Sequence, residues 1–512
     1  MRRHLAVFLV ASGLLGAACA DDSGVTAGNS DNSSGTERPD DSTSGTETGA
    51  GIDTSSFGWQ SVGGDDRLQE GWLEVPVDHD DPSQGTLRLY VVRHLADPET
   101  RIGSLLVNPG GPGFGGSILA LSADGIYSEE LLAHFDIVGW DPRGTGLSEP
   151  ALDCIDDDDY DRFYASADIT PETDAERQTI VELAEEFATS CAERNAALIQ
   201  YIGTNASARD MDLIRQALGE EQISYFGFSY GSELGATWAT LFPETVRAAV
   251  LDGASDPTAD FFESSLQQTA GFEDTLQRFL DQCAEDPDCA FHSDGDTETA
   301  FDDLMNSLDR DPVPTEPGRP DANLVMAVSA IAQAMYTDQL WDILAEALAA
   351  ARDGDGSGLL ELYDSYYQRE FDGSYPDSLE AFQTIFCMDR ADRPSVEEED
   401  ATVPEFAAVA PRMSPGTTGT YFCTFFPAST DPRVEITGKG AGPVLVMGTT
   451  GDAATPLSST RAMARALEDG RLVIVDADQH TGYGVNGCSF EVVDQFLIDP
   501  EGSAPADGTE CN

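Results

Sequence analysis

Apolar positions along the chain fall into two textures. Up to residue 256 they gather into short runs. GWLEVPVDH and GTLRLYVVRHLA alternate apolar and polar residues as two meander strands would, while GSLLVNPGG, FDIVGWDPRG, ISYFGFSYG and VRAAVLDGASDP are apolar runs closing in glycine-bearing turns. A helical pattern, ELGATWATLF, follows the third of these. From residue 257 the spacing changes to three and four, through FFESSLQQTAGFEDTLQRFLDQC, TETAFDDLMNSL, NLVMAVSAIAQAMY, QLWDILAEALAAARD and GLLELYDSYYQ, with no convincing strand between them. PVLVMGTTGD and RLVIVDADQH restore the strand texture, and EVVDQFLID reads as a closing helix. Strands that end in glycine turns and alternate with helices predict an α/β protein with a doubly wound, mainly parallel sheet. The boundaries follow the texture: residues 57–256 and 431–512 form the core, and residues 257–430 a helical cap over the carboxyl edge of the sheet, where ligands bind in such folds.

The first residues do not belong to that pattern. In MRRHLAVFLVASGLLGAAC, Arg2 and Arg3 precede an apolar stretch too short for a membrane span, so residues 1–19 read as an export signal. The small residues before Cys19 resemble a bacterial lipoprotein box, although Gly16 stands three before the cysteine and Leu15 one place early. Cys19 would then carry a lipid anchor, the sole membrane contact expected; release as a secreted chain is the alternative. Residues 20–56 hold almost no large apolar side chain and read as a flexible tether.

Charge narrows the partners. Among 512 residues, 93 Asp and Glu face 27 Lys and Arg, for a formal net charge of −66. Lys439 is the single lysine. Such a surface repels nucleic acid and anionic lipid and suits a solvated, extracellular protein. Beyond Cys19 the cysteines are Cys154, Cys191, Cys283, Cys289, Cys387, Cys423, Cys488 and Cys511, an even set that in an exported chain implies disulfides. They fall into neighbours as 154–191, 283–289, 387–423 and 488–511, though spacing alone does not fix connectivity. No pair has the C-x₂-C spacing of a zinc site, so no metal is expected.

The chemistry centres on YFGFSYGSELGA. Ser229 lies between Gly227 and Gly231 where a strand gives way to a helix, the context of a nucleophile elbow; the pentapeptide alone would be weak. A serine hydroxyl needs a base. In the order nucleophile, acid, histidine, two histidines follow Ser229: His292, in the cap, and His480, just past an apolar strand at the carboxyl edge of the sheet. His480 is the expected base. Asp452, closing the preceding strand run, is the expected acid in preference to Asp476 and Asp478, which adjoin the histidine's own strand. The oxyanion would take the backbone N–H of Tyr230 and one from NPGGPGFGGS, where Pro112 has no N–H and Gly111 is the candidate. That loop lacks the lysine and spacing of a phosphate-binding loop. Side chains and backbone amides suffice, so no cofactor is expected.

These residues carry a resemblance. NPGGPG, FDIVGWDPRGTGLSEP, FGFSYGSELGATWATLFPETVRAAVLDGASDP, PVLVMGTTGDAATP and EVVDQFLIDPEGSAPADGTEC resemble the tripeptidyl aminopeptidase family, exported bacterial serine exopeptidases of the α/β-hydrolase fold related to prolyl aminopeptidases. The resemblance spans residues 57–512 and is weakest in the cap. It implies Ser229, Asp452 and His480 as triad and release of short peptides from free N-termini. Two features depart from it: the cysteine pair common near the first strand is missing, and QHTGYG replaces a tight His-Gly. A peptide substrate with a free amine requires a carboxylate in a partly desolvated pocket; Glu263 and Asp389 are the candidates against a background of solvated surface acids. The same triad would serve a secreted carboxylesterase or lipase, and a surface binding protein could keep the fold without the chemistry.

Overall fold

Four short runs of the sequence are buried at every position, and they form the middle of the sheet. The computed structural model describes residues 57–512; the export signal, Cys19 and the tether lie outside the described residues. Ten strands form one sheet among these residues: β1 (Gln60–Val62), β2 (Asp65–Pro76), β3 (Thr86–His94), β4 (Gly103–Asn108), β5 (Phe135–Trp140), β6 (Ile223–Phe228), β7 (Val246–Asp252), β8 (Val444–Thr449), β9 (Gly470–Val475) and β10 (Thr509–Cys511). Their order is β1-β2-β3-β5-β4-β6-β7-β8-β9-β10. The first three strands meet their neighbours antiparallel, and every pairing from β5 to β10 is parallel. Strands β4, β5, β6 and β8 are wholly buried, as continuous apolar runs require when helices cover both faces. The edges β1 and β10 have three residues each, too few to carry a periodic signal.

Seven α-helices lie between β7 and β8 among the described residues, from Phe261–Glu285 to Val396–Val409, with isolated bridges at Val313–Ala322, Thr337–Gln479 and Pro415–Thr418 in place of strands. The helical layer also takes in a stretch that the sequence pattern assigned to the core. Residues 152–194 follow β5, yet the N–H groups of Cys154 and Ile155 donate to Glu380, and Arg177 and Arg319 pair with Asp400 and Asp364 respectively while Arg319 also reaches Asp161. The helix in this stretch, Asp174–Arg194, is largely polar with five buried positions, so its apolar face is too narrow to announce what it packs on.

The eight cysteines join as 154–191, 283–289, 387–423 and 488–511. Beneath the cap, Arg143 of DPRG is fully buried. Its guanidinium donates to both Asp210 carboxylate oxygens, at 2.8 and 2.7 Å, and to the carbonyls of Pro76, Val77 and Tyr201 at 3.1, 2.8 and 2.8 Å. That cluster ties β2 to the loop after β5 and the helix Thr204–Leu218.

Candidate active site

Ser229 connects β6 to the helix Tyr230–Leu241 with φ 54° and ψ −127°, a backbone state that a non-glycine residue adopts only under restraint. Its N–H donates to the Asp252 carbonyl at 2.8 Å, and its own carbonyl accepts from the Ser232 N–H at 2.8 Å. Both flanking glycines are steric necessities. A Cβ on Gly227 would lie 2.3 Å from the Gly231 carbonyl oxygen, and one on Gly231 would lie 2.7 Å from that of Asn108. The hydroxyl therefore stands on a sharp turn whose two sides are too close for any side chain.

His480 and Asp452 come to the same edge from the loops after β9 and β8. The imidazole Nδ1 is 2.9 Å from Asp452 Oδ1. That oxygen also accepts the Ala454 and Thr455 N–H groups at 2.9 and 2.8 Å, and Oδ2 accepts the Thr455 hydroxyl at 2.9 Å. Four donors thus hold a buried carboxylate in one orientation. Burial works against a charged imidazole, but Asp452, with a smaller contribution from Asp252, outweighs it and raises the His480 pKa above the ordinary value. The opposite ring nitrogen, Nε2, is buried and has no hydrogen-bond partner in the fold. Ser229 and His480 line one cavity of about 390 Å³; in free enzymes of this type the serine–histidine bond often closes only around substrate.

The glycine loop after β4 presses against the elbow: a Cβ on Gly110 would meet Phe228 O at 2.5 Å and Tyr230 N at 2.9 Å. Gly110 gives its N–H to Asn108 Oδ1 at 2.9 Å, whereas no protein acceptor takes the N–H of Gly111 or of Tyr230, the first residue of its helix. Gly111, with φ 107°, and Tyr230 also line a second cavity of about 410 Å³ that opens on Ser229. The two cavities differ in character. The one holding His480 is walled by Phe228, Phe272, Tyr336, Phe382 and Phe422 among others, and the second by Glu233, Asp256, Asp260, Asp389 and Arg390.

The two carboxylates singled out for amine binding part company. Asp389 lies in the wall of the second cavity, but its oxygens accept the Thr204 N–H and hydroxyl, Thr204 in turn meets the Tyr230 phenol, and burial pushes the carboxyl up to about 6. Glu263 is not brought to the site. It sits in the first turn of helix Phe261–Glu285, where Asp260 caps its N–H at 2.9 Å, and its side chain is exposed and lines neither cavity.

Two contacts around His480 escaped sequence reasoning. Asp252, the aspartate of VLDG, ends β7 directly below the site, and burial pushes its carboxyl up to about 7. From the cap, the Tyr336 carbonyl accepts the His480 N–H at 3.0 Å while the Tyr336 ring stands edge-on to the imidazole, centroids 5.4 Å apart. A buried acid at the end of a strand run was a legible signal for the first; the second joins residues far apart in sequence and left none.

Residues 103–486 match the family described as alpha/beta hydrolase fold. The serine protease Hip1 of Mycobacterium tuberculosis is 34% identical over 463 residues, covering 86% of this chain and 86% of that protein. Carboxylesterase B of the same organism is 33% identical over 451 residues, covering 86% and 85%. The tripeptidyl aminopeptidase of Streptomyces coelicolor is 30% identical over 465 residues, covering 88% and 84%. The chain belongs to the α/β-hydrolase family, with tripeptidyl aminopeptidase and serine protease Hip1 among its relatives, and is a serine hydrolase.

Proposed function

We propose that the protein is an exported exopeptidase that removes short peptides from free N-termini, with Ser229 as nucleophile, His480 as base and Asp452 as the acid that orients it. The observation that carries this reading is the asymmetry of the imidazole: Nδ1 is fixed by Asp452, while Nε2 is buried without a partner in the cavity that Ser229 lines. A buried polar atom left unpaired costs about 1–3 kcal/mol, and such atoms persist where a reaction uses them.

Ser229 Oγ adds to the substrate carbonyl carbon as its proton passes to His480 Nε2, and the oxyanion takes the Tyr230 and Gly111 N–H groups. The C–N bond breaks as Nε2 returns the proton to the leaving amine, leaving an acyl ester on Ser229. A water deprotonated by the same nitrogen then adds to the ester, freeing the serine and a carboxylic acid product. The acidic second cavity favours a substrate ammonium. Glu233 is paired with Arg433, Asp389 is closed in by Thr204, and both Asp256 oxygens are taken by Thr258 and Gln267; Asp260, exposed and with only its Oδ1 used to cap Glu263, is the carboxylate best placed to receive it. Four disulfides among the described residues support export, with Cys19 proposed as lipid anchor.

A carboxylesterase is the second reading, supported by the aromatic cavity beside His480 and by the relative named carboxylesterase B. Peptide anilides with free and with blocked N-termini, assayed beside short acyl esters, separate the two. Cleavage of the free-amine peptides alone is the expected result, and turnover restricted to esters would reject the peptidase. Labelling of Ser229 by a fluorophosphonate, lost in S229A, tests the nucleophile common to both.

A further inference from the structure

We infer that Asp252 is a positioning residue that locks the nucleophile turn and the base loop into one register, a role that rests on the triad proposed above. Its backbone and its side chain hold different partners. The carbonyl accepts the Ser229 N–H at 2.8 Å; the carboxylate accepts the Gly482 N–H through Oδ1 and the Tyr483 N–H through Oδ2, each at 2.8 Å. Gly482 and Tyr483 are the second and third residues after His480, so one buried aspartate spans from the residue that attacks to the loop that carries the base.

The surroundings show how little slack the arrangement has. Gly253, with φ +69°, passes under the imidazole: a Cβ there would lie 2.9 Å from the His480 carbonyl oxygen and 3.3 Å from ring Cε1. A Cβ on Gly482 would lie 2.8 Å from both Met447 Sδ and Val475 Cγ2. The loop is thus packed onto β8 and β9 and clamped from below by Asp252, while from the cap the Tyr336 carbonyl accepts the His480 N–H and the Asp338 N–H and Arg278 reach Asp478. Two parallel N–H bonds to one carboxylate fix a peptide segment in direction as well as distance, which a single bond does not. Asp252 has no cationic side chain bonded to it to neutralise the charge; its bonded partners are those two amides, with His480 and Asp452 the charged groups acting on it. A buried carboxylate with no bonded ion pair is a costly way to hold a loop, and the return is a negative charge beside the imidazole at the moment it becomes cationic.

Asp252→Asn tests this. The amide keeps the shape and one acceptor oxygen, but its NH₂ faces the other N–H, so one amide of the base loop loses its partner and the charge disappears. The variant and the wild type are assayed on the best substrate found above, at pH 8 and across the pH range, with kcat normalised to the fraction of enzyme titrated by a fluorophosphonate. The Tyr336 phenol against the ring is kept protonated by burial and does not enter the profile; Asp252, pushed up to about 7, titrates in the wild type alone and carries its charge at pH 8, where kcat is compared. We expect kcat to fall about 10²-fold, as for a small misplacement of reacting groups, with KM within about twofold, and the acid limb of kcat/KM to move to lower pH. A purely structural role would lower the melting temperature and leave normalised kcat and the acid limb where they were; that result overturns the inference. If D252N does not fold, D252E keeps the charge but lengthens the reach, and it should lose kcat with the acid limb unmoved; wild-type kcat in D252E overturns the inference equally. A wild-type Ser229 that does not react with the fluorophosphonate would sink the triad itself, and the role of Asp252 with it.

Discussion

Replacing Asp452 by asparagine separates charge from geometry at the base. At a Ser-His-Asp triad this substitution can cost about 10⁴-fold in kcat when the amide NH₂ turns toward the histidine and imposes the wrong tautomer. The hydrogen bonds around Asp452 argue for a smaller loss here. Oδ1 accepts from His480, Ala454 and Thr455, and an NH₂ in its place would face the two backbone N–H donors instead of bonding to them. Oδ2 meets only the Thr455 hydroxyl, which can reverse and accept. In D452N the amide oxygen should therefore stay on the three donors and the NH₂ should face Thr455, preserving the productive tautomer. What is lost is the charge on one hydrogen bond, about 1.5–3 kcal/mol, or about 10- to 150-fold in kcat at 1.36 kcal/mol per decade. D452A, by contrast, strands those donors in a buried site and should lose about 10⁴-fold along with measurable stability.

The pH dependence has a definite sign. His480 is held above its ordinary value of 6.5, with burial opposing and Asp452 and Asp252 prevailing, so removing the Asp452 charge lowers it and moves the acid limb of kcat/KM to lower pH. A group raised in this way contributes stability that is fully present below its unfolded value and lost as pH rises through its folded value. The stability gap between wild type and D452N should accordingly be wider at pH 5 than at pH 9. Steady-state kinetics on active-site-titrated enzyme, with urea melts at both pH values, supply the numbers. A D452N enzyme as inactive as D452A would refute the reasoning, because it would mean that the amide had flipped.

Removing the Arg143 guanidinium (R143M) leaves Asp210 buried without its principal partner and should destabilise the fold by about 3–5 kcal/mol, read as a drop in urea midpoint; an unchanged midpoint would contradict the buried cluster. G231A drives a Cβ to within 2.7 Å of the Asn108 carbonyl and should displace the glycine loop proposed to hold the oxyanion, lowering kcat by about 10²-fold with substrate affinity largely kept. Burial pushes Glu380 up to about 8, Glu399 to about 7 and Asp389 to about 6, so the folded state holds more protons than the unfolded chain between their ordinary values and these. Stability should therefore fall as pH rises from 5 to 8, and a melting temperature that climbs over that range would rule this out.

How legible the site was depended on whether a residue's partner left a mark nearby. Ser229 could be read because its constraint is local: both glycines that permit the turn lie within two residues of it. Asp452 and His480 could be read because each follows an unbroken apolar run, and only two histidines come after the serine. Glu263 and Asp389 could not be ranked, because in a chain with 93 acidic residues one carboxylate resembles another. Burial separates them: one sits exposed in the first turn of a helix, the other is walled in beside Tyr230. The attachment of residues 152–194 to the helical block left no mark for a related reason, since their partners Arg319, Glu380 and Asp400 are about 160 to 230 residues further on. Pairings at that separation are fixed by the folded sheet and not by any local period.

The cap illustrates why function is harder to read than fold. A helical block inserted between β7 and β8 looks from sequence like a lid that could be exchanged without touching the chemistry. Yet Tyr336 accepts the His480 N–H, the Asp338 N–H donates to the Asp478 carbonyl at 3.1 Å, and Arg278 reaches Asp478 at 2.7 Å and the Gly451 carbonyl at 3.0 Å. The loops carrying both the base and its acid are thus bonded to the cap. A swing of the cap that left the sheet unmoved would have to break these bonds, leaving the imidazole on Asp452 and its loop on Asp252 and the Thr449 hydroxyl. Under the proposed mechanism, proton transfer by His480 would be coupled through that seam to the helical block, so grafting the block of a relative should change kcat as well as KM.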